Sequence, residues 1–265
     1  MSIFPARYRP ESLRIAELFS EVRRAALEFV FPPTCLMCRR ELSRCVQQAR
    51  ESSALCDDCL TRLVPAELNA CRRCGAPVGP FTVATDHCIL CRRENYAFDG
   101  VIRMGVYRDE LRVACLMAKN TLGGLMSRTL ADLLVDSRYN LFSERAFHAV
   151  VPVPEHWAKR LIRPHYAAES IARQISARLK VRLATGILAK ARWTPKQAKS
   201  PPVQRRQQQK NAFHVVGAGV QGQSILLVDD ILTTGATADA AARMLKRAGA
   251  SRVVVAVVAV SPPRA

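Results

Sequence analysis

The stretch ILLVDDILTTGAT, Ile225 to Thr237, joins an apolar run, two adjacent carboxylates and a Thr/Gly-rich turn, and an Ala-rich segment, Ala238 to Ala248, follows it. This order predicts a buried strand, a tight turn and a helix. Ligands of open α/β sheets bind beyond the carboxyl ends of the strands. A Gly-containing turn into a helix N-terminus also offers a phosphate unpaired N–H groups and the positive end of the helix dipole. Thr233, Thr234 and Thr237 add hydroxyl donors, Gly235 lets the backbone approach closely, and Ala236 lies within the same turn. Asp229 and Asp230 repel a phosphate, but they accept hydrogen bonds from a ribose cis-diol and stand close enough to influence a Mg²⁺ ion. A sugar phosphate satisfies both halves of the segment.

Working outward, strand patterns recur at Val101 to Tyr107, Ala149 to Val153, Ile225 to Val228 and Arg252 to Val260. Helical patterns fall at Asp109 to Ala118, Leu125 to Ser137, Ala167 to Leu179 and Thr237 to Ala248. Continuous Val/Ile/Leu strands alternating with helices predict an α/β fold with a parallel sheet covered on both faces. The character changes at Phe98, which sets the expected domains at 1–97 and 98–265. Ahead of this boundary, Glu11 to Phe29 carries a helical apolar rhythm that ends before Pro32 and Pro33, as expected of a docking helix. Gly217, Gly219 and Gly222 spell G-x-G-x-x-G, but a phosphate-binding glycine loop must follow a strand and open a helix. This one runs into the strand at Ile225 and reads as a turn.

Eight of the ten cysteines form four C-x-x-C knuckles: Cys35/Cys38, Cys56/Cys59, Cys71/Cys74 and Cys88/Cys91. Cysteines of a chain without an export signal stay reduced, so paired thiols read as metal ligands. Two knuckles supply the tetrahedral S₄ set that zinc prefers, and four predict two structural zincs with no coordination site left for a catalytic water. Neighbouring knuckles give one set from Cys35, Cys38, Cys56 and Cys59 and another from Cys71, Cys74, Cys88 and Cys91. An interleaved cross-brace, pairing the first knuckle with the third, is the other arrangement.

At 265 residues the chain is long enough for two domains, and 49% apolar with 23% charged residues is an ordinary globular composition. The longest apolar run, Val253 to Val260, is far short of a membrane span, so the sequence reads as soluble and cytoplasmic. Lys and Arg number 40 against 22 acids, a net +18 that implies anionic partners. From Ala158 to Lys210 there are fourteen Lys or Arg and one acid, Glu169, so this strip alone carries +13. That exceeds what one small ligand needs and points to single-stranded DNA as a further partner, with Trp193, Tyr166 and His165 as stacking faces.

LLVDDILTTGAT is similar to the phosphoribosyl pyrophosphate signature of type I phosphoribosyltransferases, and the four knuckles ahead of it resemble the ComF family. FPPTC at Phe31 to Cys35, VPVP at Val151 to Pro154, and Arg192, Thr194, Gln197, Arg205 and Phe213 extend the resemblance over nearly the whole chain. Where the family usually has Arg-Gly-Phe-Asn, this chain has Arg163-Pro164-His165-Tyr166, and Pro164 has no N–H to offer pyrophosphate. Gln208 stands where an Asn is usual. The resemblance implies a type I phosphoribosyltransferase-like domain behind a double zinc ribbon, binding Mg²⁺ with phosphoribosyl pyrophosphate or a related nucleotide. It further implies that Asp229 and Asp230 act in catalysis, with Arg160 and Arg163 as pyrophosphate clamps. A role linked to the DNA-uptake machinery goes with it. The other reading is a non-catalytic factor that senses a nucleotide and holds single-stranded DNA.

Overall fold

The computed structural model describes residue 22 and residues 31–42, 54–64, 69–79, 87–120, 122–155, 165–190, 212–217 and 219–261. The expected helix at Glu11 to Phe29 lies, Val22 apart, outside the described residues. Two compact units divide the chain, Met1–Cys56 and Asp57–Ala265.

In the first unit the chain reverses around one cysteine knuckle. A bridge joins Thr34 to Glu41. Cys35 N–H donates to the Arg40 carbonyl at 2.8 Å and Leu42 N–H to the Pro33 carbonyl at 2.8 Å. Arg39 closes the turn in the left-handed region, at φ 64°. The second unit repeats this device: Ala70 bridges Pro77, Cys71 N–H donates to the Ala76 carbonyl at 2.9 Å, and Gly75 takes the left-handed position at φ 72°. Here glycine is required on two counts, because a Cβ would also lie 2.8 Å from Val101 Cγ1 and 3.1 Å from Val260 Cγ2.

The remaining elements of the second unit are, in order, α1 (Asp57–Leu63), β1 (Gly100–Val106), α2 (Asp109–Ala118), α3 (Gly124–Ser137), α4 (Tyr139–Ser143), β2 (Ala149–Pro152), α5 (Ala167–Leu179), β3 (Arg182–Leu183), β4 (Leu188–Lys190), β5 (Phe213–Val215), β6 (Ser224–Leu232), α6 (Ala236–Arg247) and β7 (Arg252–Val260). Five strands form one sheet in the order β1-β7-β6-β2-β3, and every pairing is parallel. β4 and β5 form a separate antiparallel pair that the sequence reading did not anticipate.

The sheet is central because its strands are apolar on both faces. All of β7 except Arg252 is buried, and Val and Ala there suit a pleated surface packed on each side. One face carries Val151, Ile225, Leu227, Val253 and Val255 against Ala238, Ala241, Ala242 and Leu245 of α6. α5 packs on β2 and β6, and its buried Ala168, Ile171, Ala172 and Ile175 lie outside that cluster, on the opposite face. Each fully buried Val, Leu or Ile contributes about 1.5–3 kcal/mol relative to exposure, so the sheet dominates the stability of this unit.

Candidate functional site

The chain leaves β2 toward α5 on one face and β6 toward α6 on the other, so a crevice opens where these neighbouring strands diverge. β2 pairs with β6 only up to Pro152 opposite Val228, whereas β6 continues alongside β7 to Leu232 opposite Val260. Asp229 and Asp230 are therefore strand residues, and they begin where the partner on the β2 side stops. The sequence reading ended that strand at Val228; pairing with β7 carries it further.

Each carboxylate is held locally. Asp229 Oδ1 accepts from Asp230 N–H at 2.9 Å, and Asp230 Oδ1 accepts from Ile231 N–H at 2.7 Å. Asp230 Oδ2 meets the Lys119 ammonium at 2.9 Å. Burial, and after it the charge of Asp230, push the Asp229 carboxyl well above the usual carboxylate range, against the Asp230 N–H and Lys119. Burial also opposes charge on Lys119, but the charge and hydrogen bond of Asp230, with Asp229 and Tyr107 behind, raise it above the ordinary lysine value. Cys115, one helical turn before Lys119, is pushed up to about 12 by burial and by Asp230, which makes it an inert thiol beside the site.

The turn after β6 leads directly into α6. Gly235 precedes the helix at φ 75°, and Thr234 Oγ1 accepts from Ala236 N–H at 3.4 Å. Thr233 is exposed, Thr234 and Thr237 are half-buried, and Gly235 and Ala236 are buried. The structure thus brings Asp229, Asp230 and Thr233 to Thr237 together on one continuous segment. Arg160, Arg163, Trp193 and most of the basic strip lie outside the described residues. Of the strip's described cations, Arg173 pairs with Glu169 and Arg178 with Asp132 and Asp136. His165 and Tyr166, expected as stacking faces, have other surroundings. His165 Nε2 donates to the Ala118 carbonyl at 2.8 Å, while Tyr166 is desolvated beside Asp229 and Asp230, which with burial raise its phenol well above the usual value.

Sequence reasoning missed two neighbours of the site. Lys119 is one. The other is Tyr96, whose hydroxyl donates to the Thr234 carbonyl at 3.5 Å and whose ring lies 3.1 Å from the point a Gly235 Cβ would occupy. Beside it, Ala97 N–H donates at 2.7 Å to Asp239 in the first turn of α6. Tyr96 stacks on Phe98 with ring centres 4.6 Å apart. Arg73, inside the Cys71–Cys74 knuckle, donates to the Phe98 carbonyl and, at 2.5 Å, to that of Tyr96. No sequence pattern announces these contacts, since each joins segments far apart in the chain.

The cysteines gather into two tetrads, Cys35, Cys38, Cys56 and Cys59, and Cys71, Cys74, Cys88 and Cys91. All sulfurs of a tetrad lie within 4.8 Å of one another, which resolves the pairing in favour of neighbouring knuckles over the cross-brace. The Sγ separations of Cys38–Cys56, 3.6 Å, Cys71–Cys91, 3.7 Å, and Cys74–Cys88, 3.6 Å, match the geometry zinc imposes. Tetrahedral Zn–S bonds of about 2.3 Å set sulfurs roughly 3.8 Å apart. Backbone N–H groups point at the sulfurs as well, Cys56 N–H at Cys35 Sγ and Cys88 N–H at Cys91 Sγ, both at 3.4 Å. The donor sets fit two structural zincs.

Comparison with known proteins supports both halves. Residues 161–264 match the phosphoribosyl transferase domain family, and residues 26–93 match the double zinc ribbon domain family. Competence protein F of Haemophilus influenzae is 24% identical over 226 residues, covering 83% of this chain and 94% of that protein. DNA utilization protein YhgH of Salmonella typhi is 25% identical over 233 residues, 84% of this chain and 95% of that one. Among solved structures, glutamine phosphoribosylpyrophosphate amidotransferase from B. subtilis, complexed with ADP and GMP, is 23% identical with a TM-score of 0.33. That similarity covers 49% of this chain and 25% of the amidotransferase. Among the described residues no helix is long and apolar enough to cross a membrane.

Proposed function

We propose that this chain, in which a double zinc ribbon domain precedes a phosphoribosyl transferase domain, is a member of the ComF family and binds phosphoribosyl pyrophosphate with Mg²⁺ in the crevice at the end of β6. The observation that carries this reading is the direct succession of two strand-end carboxylates and a left-handed glycine turn at the N-terminus of α6. In this reading Thr233, Thr234, Gly235, Ala236 and Thr237 hold the 5′-phosphate through backbone N–H groups and hydroxyls. Asp229 and Asp230 accept from the ribose hydroxyls, and Arg160 and Arg163 face the pyrophosphate. Transfer breaks the C1′–O bond to pyrophosphate as a nitrogen lone pair forms the new bond to C1′. The protein's share is orientation and electrostatic stabilisation of the charge that develops on the ring and the leaving group. The names of the relatives, competence protein F and DNA utilization protein, support a physiological role linked to DNA uptake. Thiolate zinc sites require reduced cysteines, which favours the cytosol.

Titration calorimetry with phosphoribosyl pyrophosphate and Mg²⁺ tests the site. Asp229→Asn combined with Asp230→Asn keeps side-chain volume while replacing both carboxyl groups, including the Lys119-paired carboxylate of Asp230, by amides. At about 1.5–3 kcal/mol per charged hydrogen bond, affinity is expected to fall by tens of fold or more while the fold persists. Unchanged binding in the double variant moves the site elsewhere.

A second reading, nucleotide sensing with single-stranded DNA held on the strip at 158–210, is favoured by its +13 charge. Binding of a labelled oligonucleotide across a salt series should then show a log–log slope of about −0.7 per phosphate neutralised. Reversing Lys196, Lys199, Arg205 and Arg206 to Glu should abolish that binding and leave phosphoribosyl pyrophosphate affinity in place. No oligonucleotide binding at low salt removes this reading.

A further inference from the structure

We propose that Lys119 is a positioning residue that makes the crevice select a ribose diol: α2 delivers its ammonium to Asp230, fixing the carboxylate that accepts the sugar hydroxyls. The proposal rests on the phosphoribosyl reading above and adds to it a residue outside the signature segment.

Lys119 is the residue at which α2 ends, and its own N–H closes the last turn onto the Leu116 and Met117 carbonyls. Two side chains converge on the carbonyl just before it. His165, from the segment entering α5, donates Nε2–H to the Ala118 oxygen at 2.8 Å, and Ser127 of α3 donates its hydroxyl to the same oxygen at 3.3 Å. Because Nε2 is the donor, His165 Nδ1 accepts, and Ser170 Oγ of α5 lies 3.4 Å from it. The root of the lysine side chain is thereby pinned from α3 and α5 before the side chain reaches the crevice.

Exposed ion pairs contribute little, since ordering a long flexible side chain offsets the attraction. This pair is different in kind. The Lys119 side chain is 31% exposed and that of Asp230 18%, and their 2.9 Å contact closes over a pinned backbone. Asp230 is then held at both oxygens, Oδ1 by Ile231 N–H and Oδ2 by Lys119. A carboxylate oxygen has two lone-pair sites, so each oxygen retains one acceptor position in a fixed direction. Fixed acceptors are what distinguish a diol from a single hydroxyl or a bare phosphate.

The test uses the full zinc-loaded chain and three probes measured by calorimetry: ribose 5-phosphate, 2-deoxyribose 5-phosphate and inorganic phosphate. Wild type should bind ribose 5-phosphate at least tenfold more tightly than the deoxy sugar. Lys119→Met should erase that preference, bringing ribose 5-phosphate down to the deoxy level with inorganic phosphate unchanged. Lys119→Arg should restore part of the preference. A Lys119→Met protein that keeps the ribose preference overturns the proposal. So does one that loses all three ligands together with its thermal stability, since that marks a purely structural ion pair. If wild type binds phosphate without telling ribose from deoxyribose, Lys119 has no such role and the phosphate turn still stands. If wild type binds none of the three and no phosphoribosyl pyrophosphate, the parent reading has failed and this proposal with it.

Discussion

Cys74→Ser is expected to lower the melting temperature of the α/β unit, whereas Cys38→Ser is expected to leave that transition in place. Elemental analysis of the wild-type chain is expected to find two zincs. A structural zinc supplies about 10–16 kcal/mol of folding energy, comparable to the roughly 5–15 kcal/mol that stabilises a whole domain. Losing a ligand therefore unfolds whatever depends on that ribbon. The Cys71/Cys74 hairpin belongs to the same compact unit as the sheet. Val101 N–H of β1 donates to the Arg72 carbonyl at 2.9 Å, Gly75 packs on Val101 and Val260, and Arg73 grips the carbonyls of Tyr96 and Phe98. Its loss uncovers Val101 of β1 and Val260 of β7 and frees the segment that leads into β1. Of the ligands that share its ion, Cys35, Cys38 and Cys56 lie in the other unit, and the fourth, Cys59, sits on α1 and not on the sheet. Cys45→Ser and Cys115→Ser should leave the zinc content at two. A ratio below one in folded, reduced protein, or equal melting behaviour of Cys38→Ser and Cys74→Ser, contradicts this assignment.

The division between what the sequence discloses and what it hides follows from the range of each interaction. The strand Arg252 to Val260 was legible because nine residues of almost uninterrupted Val and Ala fit nothing but a strand buried on both faces. The zinc ligands were legible because a C-x-x-C turn places both thiolates within a few residues. Which knuckles share an ion was not, since two pairings satisfy the same spacing and only the sulfur positions separate them. The signature Asp229 to Thr237 is local and could be read directly. The end of its strand could not, because pairing with β7 on one side alone extends β6 through both carboxylates. Likewise the hairpin of Leu188–Lys190 with Phe213–Val215 is too short for alternation to register. Lys119 and Tyr96 were invisible for the same reason: the first sits on an amphipathic helix as any solvated lysine would, and the second precedes a strand as any aromatic would. Their meaning comes from Asp230 and Gly235, which the fold brings to them.

Gly235→Val should remove binding of phosphoribosyl pyrophosphate altogether, a loss of a hundredfold or more, while leaving the sheet folded. Two independent obstacles meet at this residue. Its φ of 75° is a left-handed conformation that costs a side chain about 1–2 kcal/mol and a β-branched one more. A Cβ built there also lies 3.1 Å from Tyr96 Cε1 and 3.5 Å from Cζ, and Tyr96 has little room to retreat because it stacks on Phe98 and its carbonyl is held by Arg73. Valine can relieve the first obstacle only by changing φ, which rotates the Thr234 and Ala236 peptides and turns away the N–H groups that α6 presents to the phosphate. The helix itself stays packed through Ala238, Ala241, Ala242 and Leu245, so the damage is confined to the turn. Calorimetry of the variant alongside its thermal melt separates loss of the turn from loss of the fold. The two obstacles also separate. Gly235→Ala should bind weakly, and adding Tyr96→Ala should recover only the share owed to the ring contact, leaving the conformational penalty of about 1–2 kcal/mol, or roughly five- to thirtyfold in affinity. Full recovery would mean that Tyr96, and not the left-handed turn, is why this position is glycine. Wild-type affinity in Gly235→Val would mean that the phosphate does not bind at this turn.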